Sequence, residues 1–252
     1  MYRFFVEEDQ IDVPGKKVII TGADRNHIKN VLRMREGEEV SVMIPGNGNE
    51  YRCSVSGYTD DAVRLDLLFI KESNAELPCN ITLYQALPKA GKMELIITKA
   101  VELGVSRIVP VAAKRSVVKL PGERAAGKVS RWNAISESAA KQSKRAVIPC
   151  VSNVMTMREA LDDCSGSSSK IIPYELADPD SMDNTRLIIG KIRPGDSVAV
   201  FIGPEGGFTQ EEITMAEDAG FSPVTLGHRI LRTETAGLVI LSWIDFVIES
   251  MR

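Results

Sequence analysis

The chain has 252 residues, 44% of them hydrophobic and 26% charged, with a formal net charge of -3. Those values suit a soluble globular protein with a full core, built as one large domain or as a small domain beside a medium one. No run approaches the roughly 18 apolar residues of a membrane span, and the acidic start Met1–Asp9 lacks the apolar stretch of a signal peptide. Cys53, Cys79, Cys150 and Cys164 lie far apart, with no C-x-x-C pair. That spacing argues against a zinc site and against a disulfide framework. The expectation is a reduced, cytoplasmic setting with no membrane and no metal.

Residues 1–70 read as short strands over Tyr2–Val6, Lys17–Thr21, Val40–Ile44, Tyr51–Tyr58 and Ala62–Ile70, separated by turn clusters such as Pro45–Asn49. One helix interrupts them. Asp24 is its expected N-cap, and Ile28, Val31 and Leu32 form its apolar face. Arg25, Lys29 and Arg33 fall at i, i+4 and i+8 and so predict one basic stripe. Several short strands and a helix suggest a small β-barrel domain. The polar, Pro-broken segment Lys71–Pro78 is the expected boundary, giving domains at 1–72 and 73–252.

Beyond it the period changes. The order is strand Ile81–Leu87, helix Lys92–Leu103 stopped by Gly104, strand Arg107–Val111 and a long helix over Ala125–Lys144. Strand Ile148–Val151 and helix Met157–Cys164 follow, the helix opened by the capping box Thr156/Glu159. Strand Lys170–Tyr174, a short helix near Arg186–Ile192 and the continuous apolar strand Ser197–Ile202 come next. Helix Gln210–Ala219 is capped by Thr209/Glu212 and ended by Gly220. Strand Val224–Leu226 and an apolar helix over Thr235–Ser250 complete the order. Strands alternating with helices imply βα units and a mainly parallel sheet, an α/β fold.

Charge is unevenly spread. Residues 114–145 hold nine basic side chains (Lys114, Arg115, Lys119, Arg124, Lys128, Arg131, Lys141, Lys144, Arg145) and two acidic ones, while 146–252 are net -8. A local positive field inside an acidic protein can attract a polyanion. A solvated helix face is the plainer account of a charge run taken alone.

Ligands of open α/β sheets collect where strands end and helices begin, and two such junctions are unusual. In Phe201–Thr209 the run Gly203-Pro204-Glu205-Gly206-Gly207 turns sharply and exposes backbone N–H groups without Cβ obstruction. In Leu226–Ala236, Arg229, Arg232, Glu234 and two threonines sit between a strand and an apolar helix, and a turn alone requires none of the three charged residues. Neither G-x-G-x-x-G nor G-x-x-x-x-G-K-[ST] occurs. That removes the main support for the alternative of a nucleotide-dependent hydrolase or oxidoreductase on a doubly wound sheet.

The pair G-P-E-G-G-F and L-G-x-R-I-L-R-x-E-T-A resembles the signature of the RsmE-type family, SPOUT-class enzymes that methylate N3 of a uridine in small-subunit ribosomal RNA. More of the chain agrees. Arg3–Val6 and His27 with Val31-Leu32-Arg33 resemble the family's PUA-type RNA-binding domain. Lys89, Lys92 and Thr98–Val105 resemble its first βα unit. Arg115-Ser116, Trp132 and Gln142-Ser143-x-Arg145 fall where the family places its basic region. Val101 departs from a more frequent Thr, and Lys114, Lys141 and Lys144 depart from common Glu or Gly residues, adding positive charge.

The resemblance implies a PUA-like β-barrel domain followed by a SPOUT methyltransferase domain with a C-terminal trefoil knot. It implies S-adenosylmethionine as cofactor, a homodimer whose sites are completed by the partner, and ribosomal RNA or the small ribosomal subunit as substrate. Three loops would hold the cofactor: Ile172, Pro173 and Glu175; Gly203, Pro204, Gly206 and Gly207, where a side chain on either paired glycine would collide with it; and Leu226, Gly227, Ile230 and Leu231. Arg229, Arg232 and Glu234 are the expected catalytic groups, with Glu234 as proton acceptor or as a carboxylate stabilised at a helix N-terminus. His27 and His228 are not assigned. Arg25, Lys29, Arg33, Lys89, Lys92, Arg115, Lys141, Lys144 and Arg145 are the expected RNA contacts. The non-catalytic alternative is an RNA-binding assembly factor that has lost the reaction; intact loops at 203–207 and 229–236 speak against it.

Overall fold

The computed structural model describes residues 1–89, 91–117, 122–175, 177 and 180–252, with the backbone alone for 122–124. The chain divides into two units, Met1–Glu76 with Ala140–Ile148, and Leu77–Ala139 with Pro149–Arg252. The division falls inside the polar segment 71–78. A later stretch, 140–148, also belongs to the first unit, and no local signal in the sequence announces it.

The first unit is one six-stranded sheet of β1 (Arg3–Phe5), β2 (Ile11–Asp12), β3 (Lys17–Thr21), β4 (Glu39–Met43), β5 (Asn49–Tyr58) and β6 (Ala62–Glu72), in the order β1-β4-β5-β6-β3-β2. Apolar residues at every second position line one face, where Val18, Ile20, Val40, Val42, Cys53, Val55, Val63 and Leu65 are buried. The helix α1 (Gly22–Asn26) starts before Asp24, with Thr21 at the N-cap position, and passes into a π turn over His27–Val31.

That π turn corrects two sequence expectations. Of the apolar face, Ile28 is fully buried but Val31 is 63% exposed, because each π turn delays the helical period. Arg25, Lys29 and Arg33 therefore do not form one helical stripe. The Arg25 guanidinium donates to the carbonyls of Thr59 (3.3 Å) and Asp60 (2.9 Å), the Lys29 ammonium lies 5.6 Å from the centre of the Tyr58 ring, and Arg33 lies past the turn with φ +53°.

The second unit is a parallel sheet of β7 (Asn80–Ala86), β8 (Arg107–Ala112), β9 (Cys150–Val151), β10 (Met155–Thr156), β11 (Ser169–Pro173), β12 (Ser197–Ile202) and β13 (Ser222–Val224). Its order is β10-β8-β7-β12-β11-β13, with β9 also on β8. The helices are α2 (Lys92–Glu102), α3 (Gly122–Gln142, ending in the first unit), α4 (Met157–Asp163), α5 (Met182–Ile189), α6 (Gln210–Asp218) and α7 (Thr233–Glu249). Both capping boxes form as read: Thr156 accepts from the Glu159 N–H, and Thr209 from that of Glu212. The helix placed near Arg186–Ile192 begins four residues earlier, and the strand placed at Val224–Leu226 ends at Val224, so 225–232 is free to form a loop.

The continuous apolar run of β12 follows from its place between β7 and β11, with helices over both faces. On one face Phe201 stacks on Tyr84 (centroids 4.6 Å apart) and meets Phe221 edge-on (4.8 Å). Such pairs each add about 0.5–1.5 kcal/mol beyond area burial. Ile96 and Ile97 of α2 and Ile240 and Ile244 of α7 are likewise buried, and these two helices pack together.

Candidate active site

Three loops leave the carboxyl ends of β11, β12 and β13 and surround one cavity of about 320 Å³ in the second unit. The first loop gives Pro173, Tyr174, Glu175 and Ala177; the second gives Gly203, Pro204, Glu205, Gly207 and Phe208; the third runs from Thr225 to Thr233. This is where an open parallel sheet collects ligands, and the volume suits a small molecule of nucleoside size.

Most of the expected cofactor residues meet here: Pro173, Glu175, Gly203, Pro204, Gly207, Leu226, Gly227, Ile230 and Leu231 all line the cavity, as do Arg229 and Arg232. Two do not. Ile172 is fully buried within β11, and Gly206 turns away, where an added Cβ would meet the Arg115 side chain at 3.4 Å. Gly207 is different. Its φ is +66°, and a Cβ there would lie 2.9 Å from Glu175 Oε1. The walls mix apolar groups (Ile202, Pro204, Leu226, Leu231) with Glu175, Glu205 and two arginines. That donor set fits a ligand with a flat apolar ring at one end and a zwitterion at the other.

A charge network supports the cavity from beneath. Lys92, at the start of α2, stands 3.1 Å from Glu205 Oε1 and 3.1 Å from Glu234 Oε2. The second contact is an ion pair by distance, off the line of a directed hydrogen bond. The backbone N–H of Lys89 also donates to Glu205 Oε1 (3.1 Å). Lys92 is thus held between two carboxylates, which raise its pKa. Burial works against ionisation of Glu205 and Glu234. Backbone N–H groups and the Lys92 ammonium outweigh it, joined at Glu234 by Arg232, and hold both below the usual carboxylate value.

The sign of that shift sets a pH dependence. The unfolded chain takes up protons at these carboxyls at a higher pH than the folded chain does. Their contribution is therefore complete above about pH 4.5 and is lost as pH falls through the lower folded values. The thermal midpoint should stay level from pH 8 to about 5.5 and fall below about 4.5, less steeply in Glu205→Gln/Glu234→Gln. Equal slopes in the variant would remove these two groups from the effect.

Sequence reading missed a second support. Gln85, fully buried at the end of β7, donates through Nε2 to Thr233 Oγ1 (2.9 Å), and that hydroxyl donates to the Gly203 carbonyl (2.6 Å). The start of α7 is thereby tied to the ends of β7 and β12. A polar residue closing an apolar strand is the one local signal for it.

The basic segment is largely compensated. Lys114 pairs with Glu211, Arg131 with Glu94 (3.0 Å), Lys141 with Asp24 (3.0 Å), and the nearly buried Arg145 with Glu76, its Nε 3.0 Å from Oε2. Arg115 donates to the carbonyl of Gly206 (2.8 Å), bracing the second loop. Lys89, Lys128 and Lys144 are exposed. Lys119 lies outside the described residues, as does the side chain of Arg124.

Comparison with known proteins agrees with this geometry. The family described as RNA methyltransferase domain matches residues 75–245, and the RNA methyltransferase PUA domain matches 20–68. The chain is 34% identical to the ribosomal RNA small subunit methyltransferase E of Bacillus subtilis, over 100% of this chain and 99% of that one. It is 32% identical to the protein of the same name from Mycobacterium tuberculosis, over 92% and 87%. The crystal structure of a ribosomal RNA small subunit methyltransferase E from Neisseria gonorrhoeae bound to S-adenosyl methionine superposes with a TM-score of 0.84, at 34% identity over 98% of each chain. With a PUA-like unit before a SPOUT methyltransferase sheet, and with relatives matched end to end, the chain belongs to the ribosomal RNA small subunit methyltransferase E family.

Proposed function

We propose that this protein transfers the methyl group of S-adenosylmethionine to N3 of a uridine in small-subunit (16S) ribosomal RNA, acting in the cytoplasm as a homodimer with a knotted C-terminal domain. The carrying observation is the three-loop cavity, with Gly207 close against Glu175 and with Arg229 and Arg232 in its wall. It supports the cofactor that the Neisseria gonorrhoeae relative binds. When bound, that cofactor supplies an activated methyl group on a sulfonium, so the transfer needs no metal.

The chain's own residues do the rest. The backbones of 173–175, 203–207 and 226–231 hold the cofactor and fix its direction. N3 lies on the Watson–Crick edge of uracil, so the target must be unpaired or drawn from its helix. Arg229 and Arg232 hydrogen-bond the flanking uracil oxygens. Their charge stabilises the deprotonated ring and makes the N3 proton easier to lose. Glu234 accepts that proton. Held ionised by Lys92, it is ready to do so but is a weak base, which makes the arginines necessary.

The dimer reading is supported by large apolar side chains left open to solvent on α7 and its neighbours: Phe246 (74% exposed), Leu187 of α5 (64%) and Leu95 of α2 (48%). Ile230, 86% exposed beside the cavity, is suited to cover by a second copy. No helix among the described residues is long and apolar enough to cross a membrane.

Calorimetry tests the cofactor assignment. S-adenosylhomocysteine should bind one equivalent per chain, and ATP and NAD should give no heat. Binding of ATP or NAD in its place would overturn the reading. Sedimentation at micromolar concentration should give a dimer; a monomer would remove that part.

A further inference from the structure

We propose that Gln85 is a positioning residue for methyl transfer: through the Thr233 hydroxyl it sets the place of Arg232 and Glu234 relative to the loop that begins at Gly203. The inference rests on the methyltransferase reading above and adds a residue that does not itself line the cavity.

Burial alone does not account for a glutamine at this position. Ile81 and Leu83 precede Gln85 on the same face of β7, and all three are fully buried. Another aliphatic residue would continue that face with no polar group to satisfy. The glutamine instead buries an amide whose Oε1 has no hydrogen-bond partner among the described residues. Helix α7 stands close on that side: a Cβ added to Gly237 would lie 3.8 Å from Gln85 Oε1 and 3.7 Å from Ile202 Cγ1. An unpaired buried acceptor costs stability, so what Gln85 supplies comes from its other end.

There both amide hydrogens are used. Gln85 Nε2 donates to the Ala86 carbonyl (3.0 Å) and to Thr233 Oγ1 (2.9 Å). The Thr233 hydroxyl has one proton, which it gives to the Gly203 carbonyl (2.6 Å). Its lone pairs can then only accept, so the group that meets them must be a donor. Thr233, itself buried, sits between Arg232 and Glu234 at the start of α7. Gly203 opens the loop in which Gly207 stands against Glu175. One buried hydroxyl thus joins the cofactor loop to the two charged residues assigned to the N3 proton, and Gln85 fixes the direction in which it points. Without that donor the hydroxyl can turn, and the loop and α7 can shift separately. A misplacement of about 1 Å can cost about 100-fold in rate, while the backbone contacts that hold the cofactor stay in place.

Gln85→Met keeps the volume and removes the donor; Thr233→Val keeps the shape and removes the hydroxyl. Each should lower kcat about 10- to 100-fold for methyl transfer from S-adenosylmethionine to small subunits from cells lacking this protein. Affinity for S-adenosylhomocysteine by calorimetry should change less than about threefold in both, and Thr233→Ser, which keeps the hydroxyl, should restore kcat. The double variant should be about as slow as the slower single one, as expected of one shared chain of hydrogen bonds. In the ligand-free protein, amide hydrogen exchange should quicken about 2- to 10-fold over 203–207 and 232–238 in Gln85→Met and stay native in the rest of the sheet. Native kcat in Gln85→Met would overturn the proposal. So would failure of Thr233→Ser to restore the rate, single effects that multiply in the double variant, or cofactor affinity lost in step with kcat. Faster exchange across the whole sheet would make Gln85 a core residue only, and would overturn it too. Wild-type protein that transfers no methyl group would fail the proposed function instead, and the exchange measurement would still show whether Gln85 ties the loop to α7.

Discussion

Gly207→Val should lose affinity for S-adenosylhomocysteine at least tenfold while keeping its thermal midpoint within a few degrees. Position 207 has φ +66°, where an L residue costs roughly 1–2 kcal/mol and a β-branched one more. A Cβ there would also stand 2.9 Å from Glu175 Oε1, the free end of a flexible side chain that can give way, so the cost lies in the backbone. That strain is relieved if loop 203–207 leaves its present path, and binding would have to restore that path at the same cost. A factor of ten in affinity corresponds to about 1.4 kcal/mol, within the strain named. Gly206→Val is the paired control. Its new side chain meets the flexible Arg115 at 3.4 Å, away from the cavity, and affinity should stay near native. Calorimetry on both variants decides. Native affinity in Gly207→Val would remove this loop from the cofactor site.

Arg232→Ala should lower kcat about 100-fold and leave the cofactor Kd unchanged. Arg232 lines the cavity at the N-cap position of α7, and a donor aimed at charge that develops in the transition state is worth about that much. Glu234→Gln keeps the shape, leaves Lys92 to Glu205 alone, and should also reduce kcat with little change in KM for cofactor, as when a transition-state interaction is removed. Because Glu234 is held below the usual 4.5, the rate should not titrate with it until pH falls under that value. A wild-type acid limb near pH 6 that vanishes in Glu234→Gln would contradict the low pKa. A change in cofactor Kd equal to the change in kcat would mean that Arg232 serves binding instead of the reaction.

What was legible in the chain was local. The strand at Ser197–Ile202 matches residue for residue, because six residues bounded by Pro194-Gly195 and Gly203-Pro204 are too few for a helix, whatever their period. The capping boxes at Thr156 and Thr209 form because their chemistry is complete within four residues. The two unusual junctions, read from glycines and charges that no turn requires, meet at one cavity. The misses are non-local. Nothing near Lys92 in sequence announces that Glu205 and Glu234 will bracket it, and the net charge of 114–145 does not reveal Glu94, Glu211, Asp24 and Glu76 as its partners. Gln85 reads as an ordinary strand end until Thr233 and Gly203 arrive beside it. The π turn at His27–Val31 shows a further limit. Periodicity assumes 3.6 residues per turn, and one wider turn carried Val31 to the surface and broke the basic stripe.

The nucleosides of ribosomal RNA report the product of the reaction. Small-subunit rRNA from cells lacking this protein would be digested and analysed by mass spectrometry beside RNA from cells that carry it. 3-Methyluridine should be absent without the protein, return when the wild-type chain is supplied, and fail to return with Arg232→Ala. Persistence of 3-methyluridine together with the disappearance of a different methylated base would contradict the assignment of uridine N3.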